Sequence, residues 1–317
     1  MPGPQFHLDE RSIILRGETD ASQWARAVHD WLSATEQLLE MNVAADVKPN
    51  VWVTTEVWQA ETSNGKGVSE ILFEPEWHGV ARDTVLHVQR VVDRCSQFDP
   101  VELPDLPAAI THGHGAMKCV SCTQWGGFLT RRGRQEIEAL PGWKIDAHFF
   151  ACALTYIPSC IRQWIISLPP APAGLSELLP TAFSNIYVHQ SRVLEKFYAD
   201  FKDEIGKIVS HLSFLNDYAQ AIFAEHKGQV GEIERKAMSG FGVEMSPESP
   251  NTRKNAKAML EREITVADMS ICCEWHTKIY WDRGRIHFHP GGGLTDAART
   301  ITGGRLIIGP MVDHLTT

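Results

Sequence analysis

No stretch of this chain reaches the about 18 consecutive apolar residues that a membrane-spanning helix needs. No membrane association is therefore expected. The first residues, Met1-Pro2-Gly3-Pro4, lack the basic-then-apolar form of a secretory leader. Seven cysteines, an odd number without framework spacing, do not make a disulfide scaffold in a chain of 317 residues, and the expected compartment is a reducing cytoplasm. A Walker-type phosphate loop is missing, because neither Gly291-Gly292-Gly293 nor Gly303-Gly304 is followed by Lys and Ser or Thr. Internal repeats and low-complexity segments are also missing. Positive charge is scarce: 30 Lys and Arg against 39 Asp and Glu leave a net charge of −9. That balance excludes a generic nucleic-acid coat while leaving room for a local basic groove.

What remains is ordinary for a folded protein, with 43% hydrophobic and 22% charged residues. The patterning predicts an α+β fold with an N-terminal β-α-β-β-α unit, a long central helix and a C-terminal antiparallel β-hairpin sheet. Three segments are expected: an α+β unit over 1–98, a Cys/His-containing loop and apolar segment over 99–174, and a long helix with the C-terminal sheet over 175–317. In the first, strands are expected near 12–15, over 51–58 and, after a turn at 62–67, as a return strand over 68–73. Helices are expected over 21–41 and 80–95 from their apolar spacing. The prolines at 169, 170 and 172 mark the clearest boundary. Beyond it, Leu194, Phe197, Phe201, Ile205, Ile208, Leu212, Leu215 and Ala219 recur at steps of three and four. This predicts a helix over 182–226, packed on its own domain or used as a homo-oligomer contact. A loop over 241–250 then leads, through a Ser249 cap and Pro250, into a helix over 251–263.

Residues 271–289 carry the densest chemistry. Two alternating runs flank a turn signal, the pattern of a half-buried β-hairpin. With Arg283-Gly284 as a two-residue turn, Tyr280 faces His287 and Lys278 faces His289. Glu274, His276, Lys278 and Tyr280 then share one face with Arg285, His287 and His289. Cys273, Trp275, Ile279, Trp281, Ile286 and Phe288 form the other, core face. A three-residue turn with left-handed Gly284 would mix the faces. Glu274, His276, Lys278, His287 and His289 are the catalytic candidates, with Tyr280 and Arg285 as ligand-binding ones. A carboxylate or imidazole can take a nucleophile's proton, a second imidazole can protonate a leaving oxygen, and the cations can stabilise a phosphorane. Glu274, His276, His287 and His289 are equally suited to a divalent metal, and a solvated polar face is the structural alternative.

A second constellation is His112, His114, Cys119 and Cys122, whose nitrogen and sulfur donors suit a tetrahedral zinc. A redox pair and a glycine-rich loop with incidental donors are the alternatives. Arg131, Arg132 and Arg134 precede or enter an expected helix over 130–140, as phosphate contacts or as a solvated face. Two functional readings follow. In one, the C-terminal sheet binds and cleaves a phosphate-containing ligand such as nucleic acid, in the manner of a nuclease, with or without zinc or another divalent metal. In the other, the chain is a non-catalytic binding or assembly protein that uses the helix and the polar sheet face.

Overall fold

The structure, a computed structural model, describes residues 3–13, 21–59, 68–73, 82–99, 126–131, 135, 148–151 and 154–316. His112, His114, Cys119 and Cys122 lie outside the described residues, as does nearly all of 130–140. The chain divides into two compact units, Met1–Leu168 and Pro169–Thr317.

The first unit is built on a parallel sheet. Its strands are β1 (Gln5–Leu8), β2 (Asn50–Thr54), β3 (Ser96–Phe98), β4 (Gly126–Leu129) and β5 (His148–Ala151), in the order β3-β2-β1-β4-β5. β1 pairs in parallel with both β2 and β4, so successive strands are added first on one side of β1 and then on the other. Parallel strands cannot be joined by tight hairpins and need crossovers. Helices α1 (Ala21–Glu40) and α3 (Arg82–Arg94) lie between strands of this order. On α1, Trp24, Val28, Trp31, Leu32 and Leu38 are buried, an apolar stripe at helical spacing that supplies much of this unit's core. Also buried in this unit are Phe6, Leu8, Val51, Val53 and Phe128 from the sheet and Val88, Val91 and Val92 from α3. At the carboxyl ends of β1 and β4, Thr130 Oγ1 and Ser12 Oγ both donate to Asp9 Oδ2, at 2.6 and 3.0 Å.

Two expectations for this unit change. Residues 10–13 form a 3₁₀ turn, and the first strand lies earlier, at Gln5–Leu8. The expected return strand over 68–73 is a helix, α2 (Val68–Phe73). Val68, Ile71 and Leu72 have the i, i+3, i+4 spacing of a helix, which outweighs the turn signal before them. The unit closes with α4 (Ile157–Ser167), where Pro158 occupies the first turn and costs no hydrogen bond.

The second unit carries a five-stranded sheet in the order β6-β12-β11-β10-β7. These strands are β6 (Ile186–Val188), β7 (Met245–Pro247), β10 (Trp275–Lys278), β11 (Arg285–His289) and β12 (Leu306–Val312). β6 runs parallel to β12, and the remaining pairs are antiparallel. A two-stranded ribbon, β8 (Glu263–Val266) with β9 (Met269–Cys272), stands beside it. The helix expected over 182–226 is broken. Residues 186–188 pair into the sheet, and α5 (Pro172–Ala182) precedes them. Then come α6 (Ser191–Asp200), a 3₁₀ turn at Lys202–Glu204, α7 (Ile205–Phe214), a π turn at Leu215–Ala219 and α8 (Gln220–Glu225). The apolar stripe survives these breaks, and Leu194, Phe197, Ile208, Leu212 and Leu215 are all buried within this chain. Asn216 Oδ1 accepts from the Asn185 amide at 2.7 Å, which ties the π turn to the start of β6.

After α9 (Val230–Phe241), β7 runs through the expected 241–250 loop. Ser249 caps its helix as expected, accepting from the Thr252 amide. That helix is two short pieces, α10 (Pro250–Lys254) and α11 (Ala256–Leu260), because Asn255 leaves helical geometry and caps the second.

The hairpin forms with its turn moved. His276 faces His287 and Lys278 faces Arg285. Ile279 N donates to Gly284 O and Tyr280 N to Arg283 O, which leaves Trp281 and Asp282 at the tip. Gly284 has φ +71° on the returning leg, and a Cβ there would meet Ile279 Cβ at 2.9 Å. The displacement along the partner strand is four residues. Because that number is even, the side chains within the paired strands keep their expected faces, whereas Trp281, expected on the core face, sits in the turn and is 80% exposed.

Two predictions come from this packing. Gly284→Ala should cost roughly 1–3 kcal/mol in urea unfolding, from the left-handed backbone and the Ile279 contact together. A loss below ~0.5 kcal/mol would contradict the described turn. His211, on α7, is buried, and burial followed by the Lys207 charge lowers its pKa to about 4. The unfolded imidazole binds protons at higher pH than the folded one, so its contribution is complete above about pH 6.5 and is lost as pH falls toward about 4. His211→Leu should remove about 3 kcal/mol of that acid sensitivity. Unfolding curves at pH 7 and pH 4.5 that shift in parallel for wild type and variant would refute it.

Candidate functional site

Three neighbouring strands place polar side chains in rows across one sheet face. β7 pairs with β10 through His276↔Ser246 and Trp275↔Pro247, and the ladder continues with Glu248 N donating to Glu274 O and Lys278 N to Glu244 O. On the other side His287 faces His276 and Arg285 faces Lys278. One row is therefore Ser246, His276 and His287. The next toward the hairpin tip is Glu244, Lys278 and Arg285, and at the opposite end Glu248 and Glu274 lie level with His289.

This face is not the open polar surface that the alternation suggested. His276, His287, Arg285 and Glu248 are all buried, His287 to 1% exposure. The cover comes from the segment after β7 and from Arg262, itself buried. Arg262 Nε donates to Glu248 Oε1 at 2.6 Å, and Arg262 Nη1 to Ala258 O at 2.6 Å. Burial alone would raise the Glu248 carboxyl, but the His276 ring and the Arg262 guanidinium outweigh it and hold the pKa at about 2. Burial, aided by the neighbouring His276, pushes His287 down to about 3, so this imidazole is neutral. The two histidine rings lie 5.1 Å apart between centroids. Nδ1 of His276 and Nδ1 of His287 stand 3.4 and 3.7 Å from Glu248 Oε1.

The remaining candidates are spread around this centre. Lys278 pairs with Glu244 at 2.6 Å. Arg285 donates to the carbonyls of Tyr280, Trp281 and Arg283, and so closes the hairpin tip from inside. Tyr280 donates to Glu204 while Lys207 Nζ sits 3.8 Å over its ring. Glu274 pairs with Arg253 at 3.3 Å, and both side chains are about two-fifths exposed. His289 Nδ1 accepts from the Gly291 amide at 3.1 Å, and burial lowers its pKa.

Glu274 and His289 reach an open groove of about 470 Å³ at that end of the sheet. Arg253, Ser270 and Cys272 line it with them, and Phe223, Trp275 and Ile233 give it an apolar wall. Phe223 meets Trp275 edge to face, with centroids 4.8 Å apart. The sequence candidates thus separate into a groove-lining pair, Glu274 and His289, and a buried pair, His276 and His287. Sequence reasoning missed Glu248, Arg262 and Arg253. Glu244, Ser246 and Glu248 alternate with Val243, Met245 and Pro247, a period-two signal that would have exposed β7 and its polar face. Comparison with protein-family models, with curated proteins and with solved structures finds no match to this chain.

The Glu248–Arg262 pair sets a stability expectation. Removing one partner strands the other charge in the interior, so Arg262→Met or Glu248→Gln alone should cost about 3–5 kcal/mol. The double substitution should recover much of that loss, because neither charge is then left alone. A double-mutant cycle by urea unfolding checks this, and simple additivity of the two losses would refute the coupling.

Proposed function

We propose that the second unit binds a phosphate-bearing ligand, specifically single-stranded nucleic acid, in the groove lined by Arg253, Glu274, His289, Phe223 and Trp275. The observation that carries this reading is the meeting of an exchangeable cation, an imidazole donor and an aromatic wall in one open groove. The Arg253–Glu274 pair is half-exposed, and such pairs contribute under about 1 kcal/mol, so a phosphate can take the guanidinium at little cost. His289 accepts at Nδ1, which assigns its proton to Nε2 and makes that nitrogen a donor toward a ligand oxygen. The half-buried Phe223 ring offers a surface on which a base can stack. Glu274 can accept from a sugar hydroxyl or a base amine. Nε2 of His289 can donate one hydrogen bond to a phosphate oxygen, and an imidazole whose pKa burial lowers is a poor acid, so the arrangement supports binding before cleavage.

Fluorescence anisotropy with labelled RNA and DNA strands of about ten nucleotides tests this. Binding is expected to weaken about 5–100-fold in Phe223→Ala, the range of one lost stacking contact. Arg253→Ala should weaken it and reduce the salt slope by about 1. Thermal melts of both variants control for folding. Absence of binding to wild type at low salt, or affinity indifferent to both substitutions, would overturn the proposal.

A further inference from the structure

We infer that Glu248, His276 and His287 form a zinc site inside the second unit, independent of the groove and of any ligand bound there. Three ligand atoms, one from each residue, lie within 4.8 Å of one another. The spacing is informative. An N–H···O hydrogen bond spans about 2.7–3.2 Å, and Glu248 Oε1 is farther than that from both Nδ1 atoms, at 3.4 and 3.7 Å. Donor atoms sharing a tetrahedral zinc with arms of about 2.0–2.2 Å lie about 3.3–3.6 Å apart. The two Glu248–histidine distances are therefore closer to ligand spacing than to hydrogen-bond spacing, and the three donor atoms lie within 4.8 Å of one another.

Polar satisfaction points the same way. His276 Nδ1 and both ring nitrogens of His287 are buried without a hydrogen-bond partner. The Cys273 backbone lends His287 a favourable contact that falls short of a hydrogen bond by geometry. Buried polar atoms of this kind are rare in folded proteins and call for a partner. One metal ion would satisfy a nitrogen on each ring and the free lone pairs of Glu248 together.

The surroundings also orient the donors. Arg262 fixes the Glu248 carboxylate from behind, and Ser246 Oγ lies 3.5 Å from His276 Nε2, the nitrogen turned away from Glu248. Arg262 brings positive charge that opposes a dication. The donor set of two imidazoles and one carboxylate favours zinc, which bonds imidazole strongly, over magnesium or calcium, which need several carboxylate or carbonyl oxygens. The ligand residues come from β10, β11 and the segment after β7, so the ion would clamp three strands.

The test is metal analysis of the full chain, purified without chelator and again after chelation and zinc return. The expected content is about one zinc per chain, with a melting temperature that falls on chelation and recovers with zinc. His276→Gln/His287→Gln should abolish that zinc, whereas Cys119→Ser/Cys122→Ser should keep it. Full metal content in a folded histidine variant, or no zinc uptake by wild type, overturns the inference. Should the histidine variant not fold, cobalt replaces zinc in the Cys119→Ser/Cys122→Ser chain. Visible cobalt bands of a tetrahedral nitrogen and oxygen site then uphold the assignment, and their absence refutes it.

Discussion

Glu248 is a carboxylate taken out of water, and the polar half of the second sheet is organised by the need to keep it charged. An isolated buried carboxylate would protonate rather than ionise. Here Arg262 donates to it at 2.6 Å, and the His276 ring adds to that field. The pair is itself a constraint on the backbone. Arg262 stands at the entrance to β8 and Glu248 at the exit of β7, and the Arg262 side chain also holds the last turn of α11 through Ala258 O. The Arg262 carbonyl in turn accepts from the Cys273 amide at 2.9 Å, which carries the restraint to the start of β10. One ion pair thus fixes where the β8–β9 ribbon leaves the sheet and where the hairpin begins.

The hairpin shows why a face can be read when a turn cannot. The expected register and the observed one differ by four residues along β10, and alternation has period two, so Glu274, His276, Lys278, Arg285, His287 and His289 stay together. The turn moved because Arg285 holds three tip carbonyls from inside, which fits a tip at Trp281-Asp282 and draws Gly284 into the returning leg. That contact depends on a buried guanidinium, and nothing in the local pattern announces it.

Other features were illegible for related reasons. The α+β character was plain from composition and spacing, yet the parallel order of the first sheet rests on pairings between distant segments, such as Gln5 with Asn50 and Phe6 with Gly127. Local periodicity carries no information about them. The stripe from Leu194 to Ala219 was visible as a stripe, but its breaks were not. They arise where residues 186–188 are claimed by β12 and where Asn216 reaches back to Asn185. Glu248 was overlooked because a three-residue strand holding a proline reads as loop, although every second residue around it is polar.

Glu248 and Glu274 lie across from one another on adjacent strands, an arrangement that like charges disfavour. Each carries its own arginine, and the two arginines differ in one respect. Arg262 is 2% exposed and cannot leave its partner without stranding a buried charge, whereas Arg253 is about two-fifths exposed and can. The same row therefore contains a fixed ion pair and an exchangeable one. The fixed pair sits with the buried histidines and belongs to the architecture. The exchangeable pair sits at the groove with His289 and Phe223, and an incoming anion that drew Arg253 away would leave Glu274 uncompensated. A ligand that brings a hydrogen-bond donor for Glu274 beside its phosphate answers that cost. In the proposed reading, a sugar hydroxyl or base amine next to the phosphate of a nucleotide chain would supply such a donor.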